Sequence, residues 1–253
     1  MDEQQAFWNN IENWDKEVFN VFLSRSATPI FDRLSQEPQS SSIIDLGTGI
    51  GHFLPFLSRH FNSVYALDYA PNLLNKTRVV NRQYPNIHYV CGDMCSLPFA
   101  SSIFDITISI GSILPSSIDD VDIIIAETFR ILKQDGLFVG VLPAFDTVIY
   151  LYLLQYEALR KNGVTHKKAT ETVENEMKRH NFYPLGFYSD YTEFPPQKYF
   201  YPTEIQYRFS QAGFVNICLE KLEYSWEYCR DHFYGYFPDA PKIWDWFVVA
   251  YKR

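Results

Sequence analysis

The chain has 253 residues and a formal net charge of -8, with 47% hydrophobic and 17% aromatic residues. That length and apolar content build a core without metal or disulfide staples, and they exclude a disordered chain. The acidic balance repels phosphate, which argues against nucleic acid or an anionic membrane as the main partner.

The N-terminus is acidic and has no apolar signal-peptide core. Phe7, Trp8, Ile11, Trp14, Val18, Phe19 and Phe22 fall near helical spacing, so residues 7–24 are expected to form an amphipathic helix within an N-terminal cap over 1–34. A polar linker, 35–42, ends it. An alternation follows: strand Ser42–Leu46, helix Gly51–His60, strand Val64–Leu67, helix Asn72–Asn81, and strands Ile87–Cys91 and Phe104–Ile110. Helix Asp119–Leu132 then leads through a turn, Gln134-Asp135-Gly136, to strand Leu137–Leu142. Short-linked strands and helices in this order predict an α/β fold, a parallel sheet with helices on both faces.

The alternation stops at residue 143. Residues 146–181 read as one or two helices, broken near Asn162-Gly163, and 182–201 form a loop holding nine aromatics. The segment 143–202 is therefore expected to be an inserted helical and aromatic lid within a single domain, 1–253. Thr203 with Gln206 reads as a capping box, Gly213 closes that helix, and Val215–Tyr228 and Ile243–Tyr251 read as the last strands. The longest apolar stretch, Val141 to Leu154, is broken by Pro143 and Asp146 and is shorter than the ~20 residues that span a bilayer. Cys91, Cys95, Cys218 and Cys229 have neither disulfide-framework nor zinc spacing. A cytoplasmic protein without bound metal and without membrane contact is the expectation.

Chemistry is concentrated in Ile44-Asp45-Leu46-Gly47-Thr48-Gly49-Ile50-Gly51-His52-Phe53, a strand running into a glycine turn and a helix. The spacing is G-x-G-x-G, and His52 stands where the dinucleotide fingerprint G-x-G-x-x-G has its third glycine. Asp45 two residues earlier would repel pyrophosphate but suits a ligand bearing an ammonium group. The second strand ends at Asp68, about 20 residues on, where an acid commonly takes ribose hydroxyls. The third ends in Cys91-Gly92-Asp93-Met94, an acceptor and a soft apolar group suited to a purine. The fourth ends in the small residues Ser109-Ile110-Gly111-Ser112, which leave room for a ligand at the carboxyl edge of the sheet.

Taken in order, DLGTGIG, ALD, GDMCSLPF, FDITISIGS and FRILKQDGLF resemble the class I S-adenosylmethionine-dependent methyltransferases over residues 42–142. The resemblance implies a Rossmann-like seven-stranded sheet with the last strand antiparallel, and S-adenosyl-L-methionine as cofactor. By matching positions, Gly47, Gly49 and Gly51 border the methionine part, Asp68 holds the ribose, and Asp93 and Met94 frame adenine. Asp45 acts near the amino-acid end, and Ser109 offers backbone contacts.

The acceptor is narrowed by absences. After the fourth strand there is neither an Asn/Asp-Pro-Pro-aromatic motif nor a Pro-Cys pair, so DNA and RNA acceptors are disfavoured and a small molecule is expected. Nitrogen or oxygen is the expected acceptor atom. Carbon methylation of a quinone or lipid-like metabolite is the enzymatic alternative, and a non-catalytic cofactor-binding partner protein is the other. Tyr188, Tyr191 and Tyr199 of the lid, with Trp8 of the N-terminal helix, are candidate substrate contacts, because aromatic faces attract cations. His180 and His232, flanking aromatic segments, are the candidate catalytic bases, and Asp190 and Glu193 are candidates to orient an ammonium group.

Overall fold

A computed structural model of the chain describes residues 3–10, 21, 24, 26–180, 182, 183, 185–189, 196–230 and 236–253. Seven strands form one sheet: β1 (Ser42–Leu46), β2 (Ser63–Asp68), β3 (Ile87–Cys91), β4 (Phe104–Ile110), β5 (Leu132–Leu142), β8 (Phe214–Glu223) and β9 (Trp244–Lys252). Their spatial order is β3-β2-β1-β4-β5-β9-β8. Strands β1 to β5 pair in parallel, and β9 runs antiparallel to both β5 and β8. The carboxyl ends of β1 and β4 lie side by side at the point where the strand order reverses, which is where open α/β sheets hold ligands.

Strand alternation divides the core between the two faces. Ile43, Val64, Ala66, Ile106, Ile108, Val139 and Val141 pack on one face beneath α2 (Thr28–Leu34) and α3 (Leu54–His60). Phe138, Leu142, Val248 and Ala250 pack on the other beneath α5 (Ile118–Ile131) and α8 (Pro202–Ala212). Between β2 and β3 lies α4 (Pro71–Val80), and α1 is Glu3–Asn10. No described helix is long and apolar enough to cross a membrane.

Three boundaries differ from the sequence expectation. Helix α8 starts at Pro202 with Tyr201 as N-cap and no side-chain cap bond, so Thr203 and Gln206 form no capping box. Proline fixes the helical φ at the first position and removes a donor that would otherwise go unpaired. Strand β5 starts at Leu132, and the expected turn is absorbed as an irregularity at its entry, with Asp135 at φ 59 and the register shifting between Phe104 and Ile106. The first of the two C-terminal strands, expected to reach Tyr228, stops at Glu223, and Trp226–Arg230 is a short helix, α9. Of the expected N-terminal helix 7–24, residues 11–20 lie outside the described residues, and α2 was not anticipated.

The segment after β5 forms two helices, α6 (Phe145–Lys161) and α7 (His166–Arg179), broken at Asn162 and Gly163 as the sequence suggests, then a small hairpin of β6 (Phe187–Tyr188) and β7 (Gln197–Lys198). It leaves and returns at one place: Phe200 N donates to Pro143 O at 2.7 Å and Phe145 N donates to Phe200 O at 3.1 Å. Lys198 is fully buried there. Its Nζ donates to Leu185 O, Tyr199 O and Glu204 Oε2 at 2.7–2.8 Å, and Glu204 Oε1 accepts from Arg208 Nε at 2.8 Å. Arg208 also reaches Asp122 on α5, so one chain of charges ties the hairpin to α8 and to the body.

Candidate functional site

The glycine turn after β1 is locked to β2. Gly47 N and Thr48 N both donate to Leu67 O, at 2.8 and 2.9 Å. Gly47 stands at φ +74, and a Cβ there would lie 2.4 Å from Ser112 Cβ, so the backbones of the β1 and β4 loops meet at a contact no side chain fits. Ser112 Oγ in turn donates to Leu46 O at 2.6 Å and bonds Ser109 Oγ at 2.7 Å.

Two carboxylates lie beneath this turn. Asp68 Oδ2 accepts from Gly49 N and Oδ1 accepts from Ala70 N, both at 2.9 Å. Each oxygen keeps a lone pair, which matches a vicinal diol. Asp45 Oδ2 accepts from Thr48 Oγ1 at 2.8 Å. Burial pushes the Asp45 carboxyl up to about 7, with repulsion from Asp68 adding to it, and burial pushes Asp68 up to about 6. Two buried acids that resist ionisation together are a receptor for a cation, whose charge would relieve both.

Thr77 on α4 and the helix's C-cap Asn81 pack against the glycine turn and were not anticipated. Thr77 is fully buried, and its Oγ1 donates to Gly49 O at 2.5 Å. The signal was present as polar residues at positions 77 and 81, one turn apart on the buried face that carries Leu73. Helix α1 lies over the same edge: Gln5 Nε2 donates to Tyr69 O at 2.7 Å and Asn72 N donates to Asn9 Oδ1 at 3.1 Å. Trp8 sits on this helix, its ring 4.9 Å from that of Phe7.

The structure therefore brings Asp45, Gly47, Gly49, Gly51, Asp68 and Ser109 together at the carboxyl edge. Asp93 and Met94 follow β3 at the same edge. Asp93 is exposed with Oδ1 accepting from Cys95 N at 2.8 Å, and Met94 is half-buried against the core. His180 lies elsewhere. Among the described residues its hydrogen bonds and ring contacts are inside the insertion, with Nδ1 3.0 Å from Tyr152 Oη and 3.3 Å from Tyr188 Oη. Tyr188 and Tyr199 pack ring to ring at 5.5 Å in that cluster. Tyr191, His232, Asp190 and Glu193 lie outside the described residues.

A groove of about 520 Å³ separates the β4–α5 loop from the insertion, lined by Ser116, Ser117, Tyr183, Leu185, Phe187 and Pro196. Phe187 faces it while its neighbour Tyr188 does not line it, as expected of successive strand residues on opposite faces. At the start of α6, Asp146 is half-buried and its Oδ2 is sealed from solvent without a hydrogen-bond partner.

The strand order with a single antiparallel strand, and a glycine turn over two buried acids, define the Rossmann-like fold of the class I methyltransferases. The family model described as "Methyltransferase domain" matches residues 44–140, and that segment is similar to the S-adenosylmethionine-dependent methyltransferases. Among curated relatives, phosphoethanolamine N-methyltransferase 1 of Zea mays is 27% identical over 141 residues, which is 53% of this chain and 28% of that protein. Demethylmenaquinone methyltransferase of Staphylococcus haemolyticus is 30% identical over 122 residues, 44% of this chain and 50% of that protein. The chain thus spans less than a third of the length of the maize relative. Among solved structures, an S-adenosylmethionine-dependent methyltransferase of Methanosarcina mazei superposes with a TM-score of 0.60 at 18% identity, covering 88% of this chain and 97% of that one.

The residues present fit that cofactor. It supplies a methyl group on a positively charged sulfur, and a cation with a ribose diol matches the buried acids and the free lone pairs of Asp68.

Proposed function

We infer that the chain transfers a methyl group to a small-molecule nitrogen or oxygen acceptor held between the β4–α5 loop and a lid formed by residues 143–202. In this reading Asp68 holds the ribose, Asp45 balances the cationic methionine end, the glycines border it, and Asp93 and Met94 frame adenine. Ser109 sets the β4 loop through Ser112. The acceptor needs only to be aligned with the methyl carbon in a site without water, and positioning of this kind supplies on the order of 7–11 kcal/mol.

The observation that carries the acceptor class is Asp146. A sealed carboxylate oxygen without a donor is costly and asks for an N–H or O–H from a ligand. The N-methyltransferase among the relatives supports nitrogen. His180 is the candidate base of the lid: in the tautomer in which Nδ1–H donates to Tyr152 Oη, Nε2 keeps its lone pair for the acceptor's proton. Tyr188 and Tyr199 hold that imidazole in place, and Trp8 with α1 roofs the ribose end.

The test is release of S-adenosylhomocysteine from S-adenosylmethionine across a panel of primary amines, phosphorylated amino-alcohols and phenols. Asp146→Asn should raise KM for an amine acceptor at least tenfold while leaving affinity for S-adenosylhomocysteine unchanged. An unchanged KM removes Asp146 from the acceptor site. A second reading, carbon methylation of a quinone-like acceptor, is favoured by the apolar lining of the groove and by the demethylmenaquinone relative. Turnover of a quinol with none of any amine or hydroxyl would select it.

A further inference from the structure

A second groove opens where the end of α4 meets the edge strand β3. It has a volume of about 530 Å³ and is lined by Arg78, Arg82, Tyr84, His88 and Tyr89, among others. Helix α4 runs from Pro71, at the carboxyl edge beside Asp68, to Val80 at the amino edge, and the groove lies at its far end against the edge strand β3. One residue of its lining, Asn81, packs against the glycine loop, where a Cβ at Gly51 would lie 3.0 Å from Asn81 Nδ2, and the guanidinium groups of Arg78 and Arg82 are the cationic part of the lining.

Its chemistry is the reverse of the rest of the chain. Residues 51–91 contain Arg59, Lys76, Arg78 and Arg82 but a single acid, Asp68, whereas the whole chain has 30 acids against 22 Lys and Arg. That one acid is buried and belongs to the cofactor site. Arg78 and Arg82 are exposed and make no ion pair among the described residues. Arg78 lies over the Tyr89 ring at 5.3 Å from its centroid. Tyr89 Oη is sealed from solvent and has no hydrogen-bond partner. Tyr84 Oη accepts from Arg59 Nη2 at 2.8 Å, which leaves its own proton to donate and adds a third guanidinium to the rim.

We propose that this groove is a binding site for a small phosphate-bearing anion, which adjoins the glycine loop through Asn81 but takes its ligand on residues that the cofactor and acceptor readings do not use. Guanidinium forks match phosphate oxygens two at a time, and the lining adds phenol and imidazole groups that can donate and, among the described residues, contains no carboxylate. The volume suits a small ligand. The acidity of the remaining surface excludes an extended polyanion and makes the local concentration of cations selective for a compact one.

The experiment is isothermal titration of the full chain with inorganic pyrophosphate at low ionic strength, repeated for Arg82→Glu and Arg78→Gln. Both positions are exposed, so the fold should survive, and unchanged binding of S-adenosylhomocysteine by each variant checks this. The expected result is saturable binding at micromolar to millimolar concentration, weakened at least tenfold by either substitution. A headgroup on a membrane would present the same phosphate, so sedimentation with phosphatidylglycerol vesicles is run in parallel. Vesicle binding without pyrophosphate binding overturns the proposal. So does the absence of pyrophosphate binding, or pyrophosphate binding indifferent to both substitutions. The proposal does not depend on the identity of the methyl acceptor, so its failure leaves that reading untouched.

Discussion

Replacing Asp45 with Asn should make the cofactor-free protein more stable and the cofactor complex weaker. The folded-state carboxyl titrates near 7 and the ordinary value is 3.8. A group raised in the folded state contributes its full stability below the lower value, and that contribution is lost as pH rises to the upper one. The displacement corresponds to about 4 kcal/mol. Asn keeps the shape and still accepts from Thr48 Oγ1, but it cannot ionise. The variant's advantage in urea unfolding should therefore be smallest near pH 4, grow to about 4 kcal/mol by pH 7, and stay level above that. In thermal melts this is roughly 8–15 °C at pH 8 for a chain of this size. Affinity for S-adenosylmethionine should change the other way, because in the proposed function the anion that destabilises the empty fold is the partner of the cation. Parallel stability curves for the two proteins between pH 4 and 8 would refute the assignment of a buried, charge-resisting Asp45. Undiminished cofactor affinity in the variant would refute its role at the cationic end.

Asp68→Ala should weaken S-adenosylhomocysteine binding by 10- to 100-fold in calorimetry, the equivalent of about 1.5–3 kcal/mol for lost charged hydrogen bonds. Lys198→Ala should destabilise the fold by about 3–5 kcal/mol in denaturant, because Glu204 is left half-paired and two buried carbonyls lose their donor. Gly186→Ala should loosen the same hairpin, since φ is +84 and a Cβ would lie 2.3 Å from Tyr199 O; protease nicking between 182 and 201 reports it. In a thiol-reagent time course, exposed Cys91 and Cys218 should react first. Cys95 and Cys229, both pushed up to about 12 chiefly by burial, should lag.

The sheet was legible because its central strands are short, mainly apolar runs: Ile43–Leu46, interrupted by Asp45, before Gly47, and Val64–Leu67 before Asp68. The strand ends brought the residues expected to hold the cofactor, Asp45, Gly47, Gly49, Asp68 and Ser109, to one edge of the sheet. Boundaries that depend on competition between local signals were not legible. Thr203 and Gln206 have the capping-box pattern, but Pro202 supplies a stronger start one residue earlier. Gln134-Asp135-Gly136 has turn chemistry, yet pairing with β4 holds the backbone in the strand on both sides of it. Lys198 reads as a surface cation in Gln197-Lys198-Tyr199, and only long-range contacts with Glu204 and with the carbonyls of the hairpin make it a buried anchor.

The same distinction explains how charge and aromatic content are distributed. Residues 40–140 hold 11 of the 44 aromatics and 182–253 hold 23, so the cofactor half is built from aliphatic strands and the other half from rings. Parallel strands covered on both faces favour compact branched side chains. An insertion tied to the body at 143–145 and 200 has no sheet to pair with and must make its own core. It does so with Phe145, Tyr152, Phe182, Tyr188 and Tyr201 around His180. Rings supply that core at low entropy, because each is large with only two rotatable bonds. The Lys198–Glu204–Arg208 chain then fixes the hairpin, and with it Phe187, against α8. A lid assembled this way is free to change the side chains that face the groove while its attachment stays constant. Under the proposed function, acceptor preference is therefore expected in groove residues such as Tyr183, Leu185 and Phe187, and cofactor binding in the aliphatic half that the sequence displayed most clearly.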